Sequence, residues 1–223
     1  MKNRILGATV VVMLLLISAS CKGDKKNPTA ATEPQPVAIS NEVTINYKVD
    51  PKNSSIKWTG SKPTGEHTGT IAIQSGIIKT TNDAIESASF LIDMKSIAVT
   101  DLEGEEKAGL EGHLKGMAAG KEDHFFNVEK FPTATFEITK VSTTAEKTVI
   151  QGNLTMRGIK KNISFPATTT IGSAGLTLTT EVFTINRTDW GVNYGSKSLF
   201  DNLGDKFIHD DIALQINLKG SKM

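Results

Sequence analysis

Four histidines, one arginine and one cysteine hold most of the reactive potential of this chain. His67, His113, His124 and His209 are the natural candidates for metal ligation or proton transfer. They show neither HxxxH nor HExxH spacing, and no cysteine follows Cys21 to join them, so isolated polar or rim positions account for them and no metal is expected. No G-x-S-x-G elbow is present, which removes the usual serine-hydrolase arrangement. Arg187 stands apart. By alternation it follows Phe183 and Ile185 on one strand face, while Asp210 precedes Ile212 on the inner parity of another, so both should turn inward near one end of a β-structure. A buried arginine must find a carboxylate or an anionic ligand group. The pair is therefore either a structural Arg–Asp closure, the simpler reading, or a contact to a ligand's polar end.

The elements that carry these residues are mostly strands. Val43, Ile45, Tyr47 and Val49 alternate with polar residues up to Asp50-Pro51, and Ile56 and Trp58 follow on the same parity. His67, Gly69, Ile71 and Ile73 share a face, and Gly76 is expected to mark a tight reversal. Ala88, Phe90, Ile92 and Met94 line the next inner face. Residues 100–119 break the pattern: Thr100 and Glu103 have capping-box spacing, Leu110, Leu114 and Met117 recur at helical intervals, and Glu111 with Lys115 forms an i,i+4 pair. Five glycines from Gly104 to Gly120 make this a weak helix, one that depends on docking to the sheet.

Alternation resumes with Phe136 and Ile138, then Ile150, Leu154 and Met156 around a space left by Gly152, then Ile163 and Phe165 after an Arg157-Gly158 turn. Phe125, Phe126 and Phe131-Pro132 should fix how the helix hands over to the sheet. Leu176 and Leu178 end on the opposite parity from Phe183 and Ile185, which requires a bulge or kink. The last strand alternates Ile212, Leu214, Ile216 and Leu218. Trp190 and Tyr194, in a glycine-bearing loop, are placed to cover a rim. Many short strands at regular spacing indicate an all-β antiparallel sandwich or barrel.

The N-terminus reads as an export signal. Lys2 and Arg4 precede an apolar run from Ile5 to Ile17, too short for a comfortable membrane span, and small residues lead to Cys21. This arrangement resembles the bacterial lipoprotein signal, which implies acylation of Cys21, although Ser18 stands where that pattern prefers Leu. Residues 22–42 hold three of the seven prolines and almost no large apolar side chain, and they read as a disordered tether. The expected organisation is a signal peptide over 1–20, an acylated cysteine and tether over 21–42, and one domain over 43–223. The whole chain carries +1, and losing Lys2 and Arg4 leaves −1, so nothing in the charge suggests nucleic acid. In such a chain the N-x-S/T triplets at Asn53, Asn153, Asn162 and Asn186 are chance matches.

An ordered set of motifs resembles the YceI-like family of exported bacterial lipid-binding proteins. It comprises Tyr47-Lys48-Val49-Asp50-Pro51 with Ser55-Ile56-Lys57-Trp58, His67-Thr68-Gly69, Phe125-Phe126-Asn127-Val128, and Phe131-Pro132-Thr133-Ala134-Thr135-Phe136. Gly152-Asn153-Leu154-Thr155, Asn186-Arg187-Thr188-Asp189-Trp190-Gly191 and Asp210-Asp211 complete it. The resemblance implies an extended, lipocalin-like antiparallel β-barrel with a short docked helix. Its tube-shaped interior would take a long isoprenoid, quinone-like or fatty-acyl lipid in place of any cofactor, and an eight-stranded barrel is about the right size for one such ligand. The residues expected to line it are Trp58, Ile71, Phe90, Ile92, Phe136, Ile138, Leu154, Met156, Phe165, Phe183, Arg187 and Leu214. No catalytic residue is assigned. The expected role is carriage or storage in the cell envelope, periplasm-facing or at the outer membrane. Two other readings fit the residues: an enzyme acting on a lipid or quinone precursor, with His67, Arg187 and Asp210 available, or a structural envelope protein with a filled interior. Tyr47, Phe90 and Phe136 could also face a second copy of the chain in a homodimer.

Overall fold

The structure is a computed structural model that describes residues 27–40, 43–144 and 148–223. The expected signal peptide and Cys21 lie outside the described residues. Apolar residues at every second position build the strands, because β-branched and aromatic side chains suit a pleated, half-buried surface. In chain order these are β1 (Asn27–Pro28), β2 (Ile45–Val49), β3 (Ser55–Lys62), β4 (Gly65–Thr81), β5 (Ala84–Val99), β6 (Thr133–Thr143), β7 (Thr148–Met156), β8 (Ile159–Gly172), β9 (Gly175–Thr180), β10 (Phe183–Asn186) and β11 (Asp211–Lys222). From β4 to β9 each strand pairs antiparallel with the next. β9 then pairs β11, and β11 pairs β2 and β3, which in turn pair β4. The ring closes, as expected for an extended antiparallel barrel, and closure satisfies strand edges that would otherwise be exposed.

Several local expectations change. β2 begins at Ile45, and Val43 is exposed. The reversal expected at Gly76 occurs instead at Asn82-Asp83, both left-handed at φ 50° and 58°, the backbone that matches the twist of a two-residue hairpin. Gly76 lies inside β4 opposite Phe90, where a Cβ would come within 2.6 Å of the ring. The kink expected before Phe183 is present. β9 stops at Thr180, whose hydroxyl oxygen accepts the Ile216 N–H at 2.9 Å and fills the gap in the ladder.

The segment expected to be a disordered tether is laid against the barrel over residues 27–40. β1 pairs β10 in parallel, Thr29 bonds Thr184 and Ser164 across the seam between β10 and β8, and Thr32 bridges Asn162. The chain then crosses the outer face: Gln35 exchanges hydrogen bonds with the Asn153 side chain, and the Ala38 N–H donates to Ile138. Low apolar content predicted disorder, but these contacts are made by backbone and short polar groups, which hydropathy does not register. Asn153 and Asn162, two of the chance triplets, are buried beneath this strap and joined by a 3.0 Å bond.

Helix α1 (Gly104–Lys115) packs on β5 through Leu110 and Leu114. The capping box does not form: Glu103 occupies the N-cap without a side-chain bond, and the Thr100 hydroxyl donates to Thr68 on β4. The Glu111–Lys115 pair is present at 3.9 Å, and Glu111 also accepts the Val99 N–H at the end of β5. Gly116, left-handed at φ 75°, ends the helix, so Met117 falls beyond it and is 68% exposed. Phe126 and Val128 donate N–H groups to the carbonyls of Leu114 and Lys115, satisfying the open end of the helix.

Candidate functional site

The barrel interior is open at the α1 end and filled at the other. A cavity of about 390 Å³ lies between the helix and the sheet. Trp58, Ile71, Ile92, Met94, Ile97, Leu154, Met156, Ile185, Ile212 and Leu214 form its sheet wall, and Leu110, Leu114, Phe125 and Phe126 form its roof. Deeper in, a second space of about 50 Å³ shares Ile56 and Ile92 with the first and is lined by Phe90, Phe136, Ile138 and Phe165. The rings that line it pack in a row that ends on Phe183 beyond it: Phe90–Phe136 at 6.3 Å, Phe136–Phe165 at 5.6 Å and Phe165–Phe183 stacked at 4.5 Å.

Glycines set the shape of this interior. Trp58 lies over Gly69, its cross-strand partner, and a Cβ there would sit 2.4 Å from the indole. Phe136 covers Gly152 in the same way at 2.2 Å, and Phe90 covers Gly76. Each ring is laid flat along the wall because its neighbour lacks a side chain. The Trp58 Nε1–H is buried without a hydrogen-bond partner among the described residues.

Polar groups gather at the mouth. His67 meets Asp101 at 2.9 Å. Burial pushes the Asp101 carboxyl up, but the Thr68 N–H and His67 outweigh it and hold its pKa below the usual carboxylate value. His113 on α1 and His124 beyond it share a 2.8 Å hydrogen bond. Tyr194 stacks on His124 at 4.1 Å, and Phe125 meets His113 edge-on at 5.0 Å. Burial, followed by the charges of His124 and Lys121, holds the His113 imidazole below its ordinary pKa. Among the described residues no three His, Cys, Asp or Glu side chains are grouped to hold a metal ion.

Arg187 is 1% exposed and donates to the carbonyls of Val192, Ile208 and His209, with Asp210 at 3.5 Å. Asp210 also accepts from Ser198. The guanidinium thus stitches the loop between β10 and β11 to the barrel end, which is the structural reading of the pair, although its side chain also reaches the cavity wall.

Of the twelve lining residues expected from sequence, Trp58, Ile71, Ile92, Leu154, Met156, Arg187 and Leu214 border the main cavity. Phe90, Phe136, Ile138 and Phe165 border the smaller one. Phe183 borders neither: it is fully buried against Phe165, so its inward parity serves the filled end. Trp190 is also buried, donating to the Leu154 carbonyl, and only Tyr194 of the expected rim pair stands at the mouth. Tyr47 and Phe136 are buried and Phe90 turns inward, so none of the three presents a face to a second copy. Sequence reasoning missed the roof. Phe125 and Phe126 fix the handover as expected, but they also face the cavity, and the doubled aromatic was the available signal. Lys62, Lys206 and Ile208 were missed because the end of β3 and the loop before β11, far apart in sequence, bring them to the mouth, where His209 also stands as a rim histidine.

Residues 47–220 match the YceI-like domain family. The chain belongs to the YceI-like family. A UPF0312 protein of Yersinia pestis is 31% identical to this YceI-like chain over 83 residues, 37% of either length. The match thus spans little more than a third of that curated relative. Among solved structures, Burkholderia cenocepacia BcnA is 21% identical with a TM-score of 0.60, covering 78% of this chain and 99% of its own. A polyisoprenoid binding domain from Saccharophagus degradans, implicated in plant cell wall breakdown, is 14% identical with a TM-score of 0.56, covering 79% and 98%. These likenesses show that the YceI-like chain shares its fold with both.

Proposed function

We propose that this chain binds, carries or stores one long apolar amphiphile, without catalysis, as an exported protein tied to the cell envelope through an acylated Cys21. The observation that carries the reading is the open apolar cavity roofed by α1 within an otherwise packed barrel. Enclosing apolar surface there is worth about 25 cal/mol per Å², so chain length contributes more than head-group detail. The relative described as a polyisoprenoid binding domain supports an isoprenoid or similar chain. Of the groups available for chemistry, Arg187 is spent on three carbonyls, which supports binding over turnover.

Native mass spectrometry of the protein purified from its own host tests both parts. A co-purifying lipid of defined mass on a diacyl- or triacyl-modified Cys21 N-terminus is the expected result. Protein that is consistently bare would favour a filled structural barrel, and an unmodified Cys21 would remove the anchor.

A further inference from the structure

The roof of the main cavity is a helix with little stability of its own. Helix α1 holds Gly104, Gly109 and Gly112 within its 12 residues, and an interior glycine weakens a helix relative to alanine. Packing does not call for two of them, since a Cβ on Gly109 or Gly112 would meet nothing within 4 Å. The helix is therefore held by what it docks on. Leu110 and Leu114 pack inward and Glu111 accepts the Val99 N–H; at the mouth the tie is made by rings.

Four rings join this roof to the loop between β10 and β11. His113, one residue before Leu114, and His124, one residue before Phe125, share the 2.8 Å hydrogen bond between ring nitrogens. Tyr194 of the loop lies 4.1 Å from the His124 ring, 5.1 Å from His113 and 5.5 Å from Phe125. His113, Phe125 and Tyr194 all line the cavity, so the tie closes directly over it.

A hydrogen bond between two imidazoles needs one facing nitrogen without a proton. The bond survives the first added proton and fails at the second, when two N–H groups of like charge face each other. The charged groups of the surrounding elements do not offset this. On α1, Lys115 and Glu111 answer each other at 3.9 Å. After the helix, Lys121 opposes a charge on His113. Glu122, held below the usual carboxylate range by its own N–H and that of Gly120, and Asp123, held there by Asn127 and by Arg157 of the β7–β8 turn, flank His124 as anions. In the loop of Tyr194, Asp189 faces Lys161 and Lys197 lies over Phe207. His67 and His209 stand elsewhere on the mouth.

We propose that α1 and the segment through Phe126 form a lid, that the His113–His124 pair is its clasp, and that charging both rings opens the mouth for exchange of the bound chain. The inference rests on the reading of the interior as an amphiphile site and adds the condition under which that site opens. In the open form each ring reaches water and holds its own proton, so opening takes up one proton more than the closed pair can hold. The open population then rises by up to about tenfold per pH unit below the ordinary histidine value of about 6.5.

The lid is followed first without ligand, by hydrogen exchange of residues 104–128 in the delipidated mature protein at pH 8 and pH 5.5, corrected for the intrinsic pH dependence of exchange. Exchange there should be about tenfold faster at pH 5.5, while β6, β7 and β8 keep their protection. Radiolabelled dodecanol, uncharged throughout this range, is then loaded, and its transfer to excess β-cyclodextrin should accelerate by a similar factor. His124→Phe keeps a ring against Tyr194 but takes up no proton, and it should abolish both pH effects, as should His113→Gln. Gly109→Ala/Gly112→Ala leaves the pair intact and should slow opening at both pH values by about tenfold with the pH ratio unchanged. Equal exchange at the two pH values in the parent, or an acceleration that survives both histidine variants, overturns the clasp. A faster lid with unchanged dodecanol transfer overturns its role in exchange. A pH-dependent lid on a protein that binds no dodecanol at either pH overturns the amphiphile reading and leaves the clasp standing.

Discussion

Arg187 shows how a charged side chain can be buried in an apolar tube. Its donors are spent on three carbonyls of the loop it closes, so replacing it strands the buried Val192 carbonyl and two half-buried ones. Arg187→Met should cost about 3–5 kcal/mol of stability, the range for breaking a buried charged network, measured as a fall in the urea midpoint. Loss of amphiphile binding with an unchanged midpoint would instead make Arg187 a ligand contact. The His113–His124 pair makes a second residue-level prediction. Because burial and its neighbours lower the His113 pKa in the folded state, the unfolded chain binds that proton more readily. The stability His113 contributes is therefore complete above its unfolded value of about 6.5 and declines as pH falls through it toward the folded value. The wild-type urea midpoint should drop between pH 8 and pH 5.5, and His113→Gln should flatten that drop. An equal drop in the variant would assign the pH dependence elsewhere.

The strands owe their openness to pairs of large and absent side chains. Phe136 rests on Gly152 so closely that Gly152→Ala must displace the ring, because the new Cβ would lie 2.2 Å from it. Overpacking of this kind costs about 1–3 kcal/mol, and the displaced ring has only the small cavity to enter. Thermal melting should show the loss; a variant as stable as the parent would mean that the ring has another resting place. These pairs also explain what could be read from sequence and what could not. Alternation at Ile150, Leu154 and Met156 revealed an inner row, and Gly152 revealed a space within it, because both are local. Gly76 was mistaken for a turn, since a glycine that admits a ring from the next strand looks the same in sequence as one that bends the chain. The strap over residues 27–40 was illegible for a related reason: it contributes backbone and short polar groups to Asn153, Asn162 and Ile138, and none of these marks a core.

Across the whole molecule the interior is divided between two tasks. The aromatic row from Phe90 to Phe183 gives the barrel a packed core at one end, and this frees the other end to stay open beneath α1. Periodicity could tell which residues face inward but not which of them meet each other, so Phe183 and Leu214 looked alike before the structure separated them. The roof and mouth depended on contacts between α1, the segment after it and the loop before β11, which no local pattern encodes.

The strap has a mechanical consequence. Its first paired residue, Asn27, is six positions from Cys21, so fully extended chain allows at most about 20 Å between them. If Cys21 is acylated as proposed, the barrel is on a short leash. It can sample the lipids of the leaflet that holds it, but it cannot swing across to an opposing membrane, and it would serve as a local reservoir that a separate, mobile carrier must load or unload.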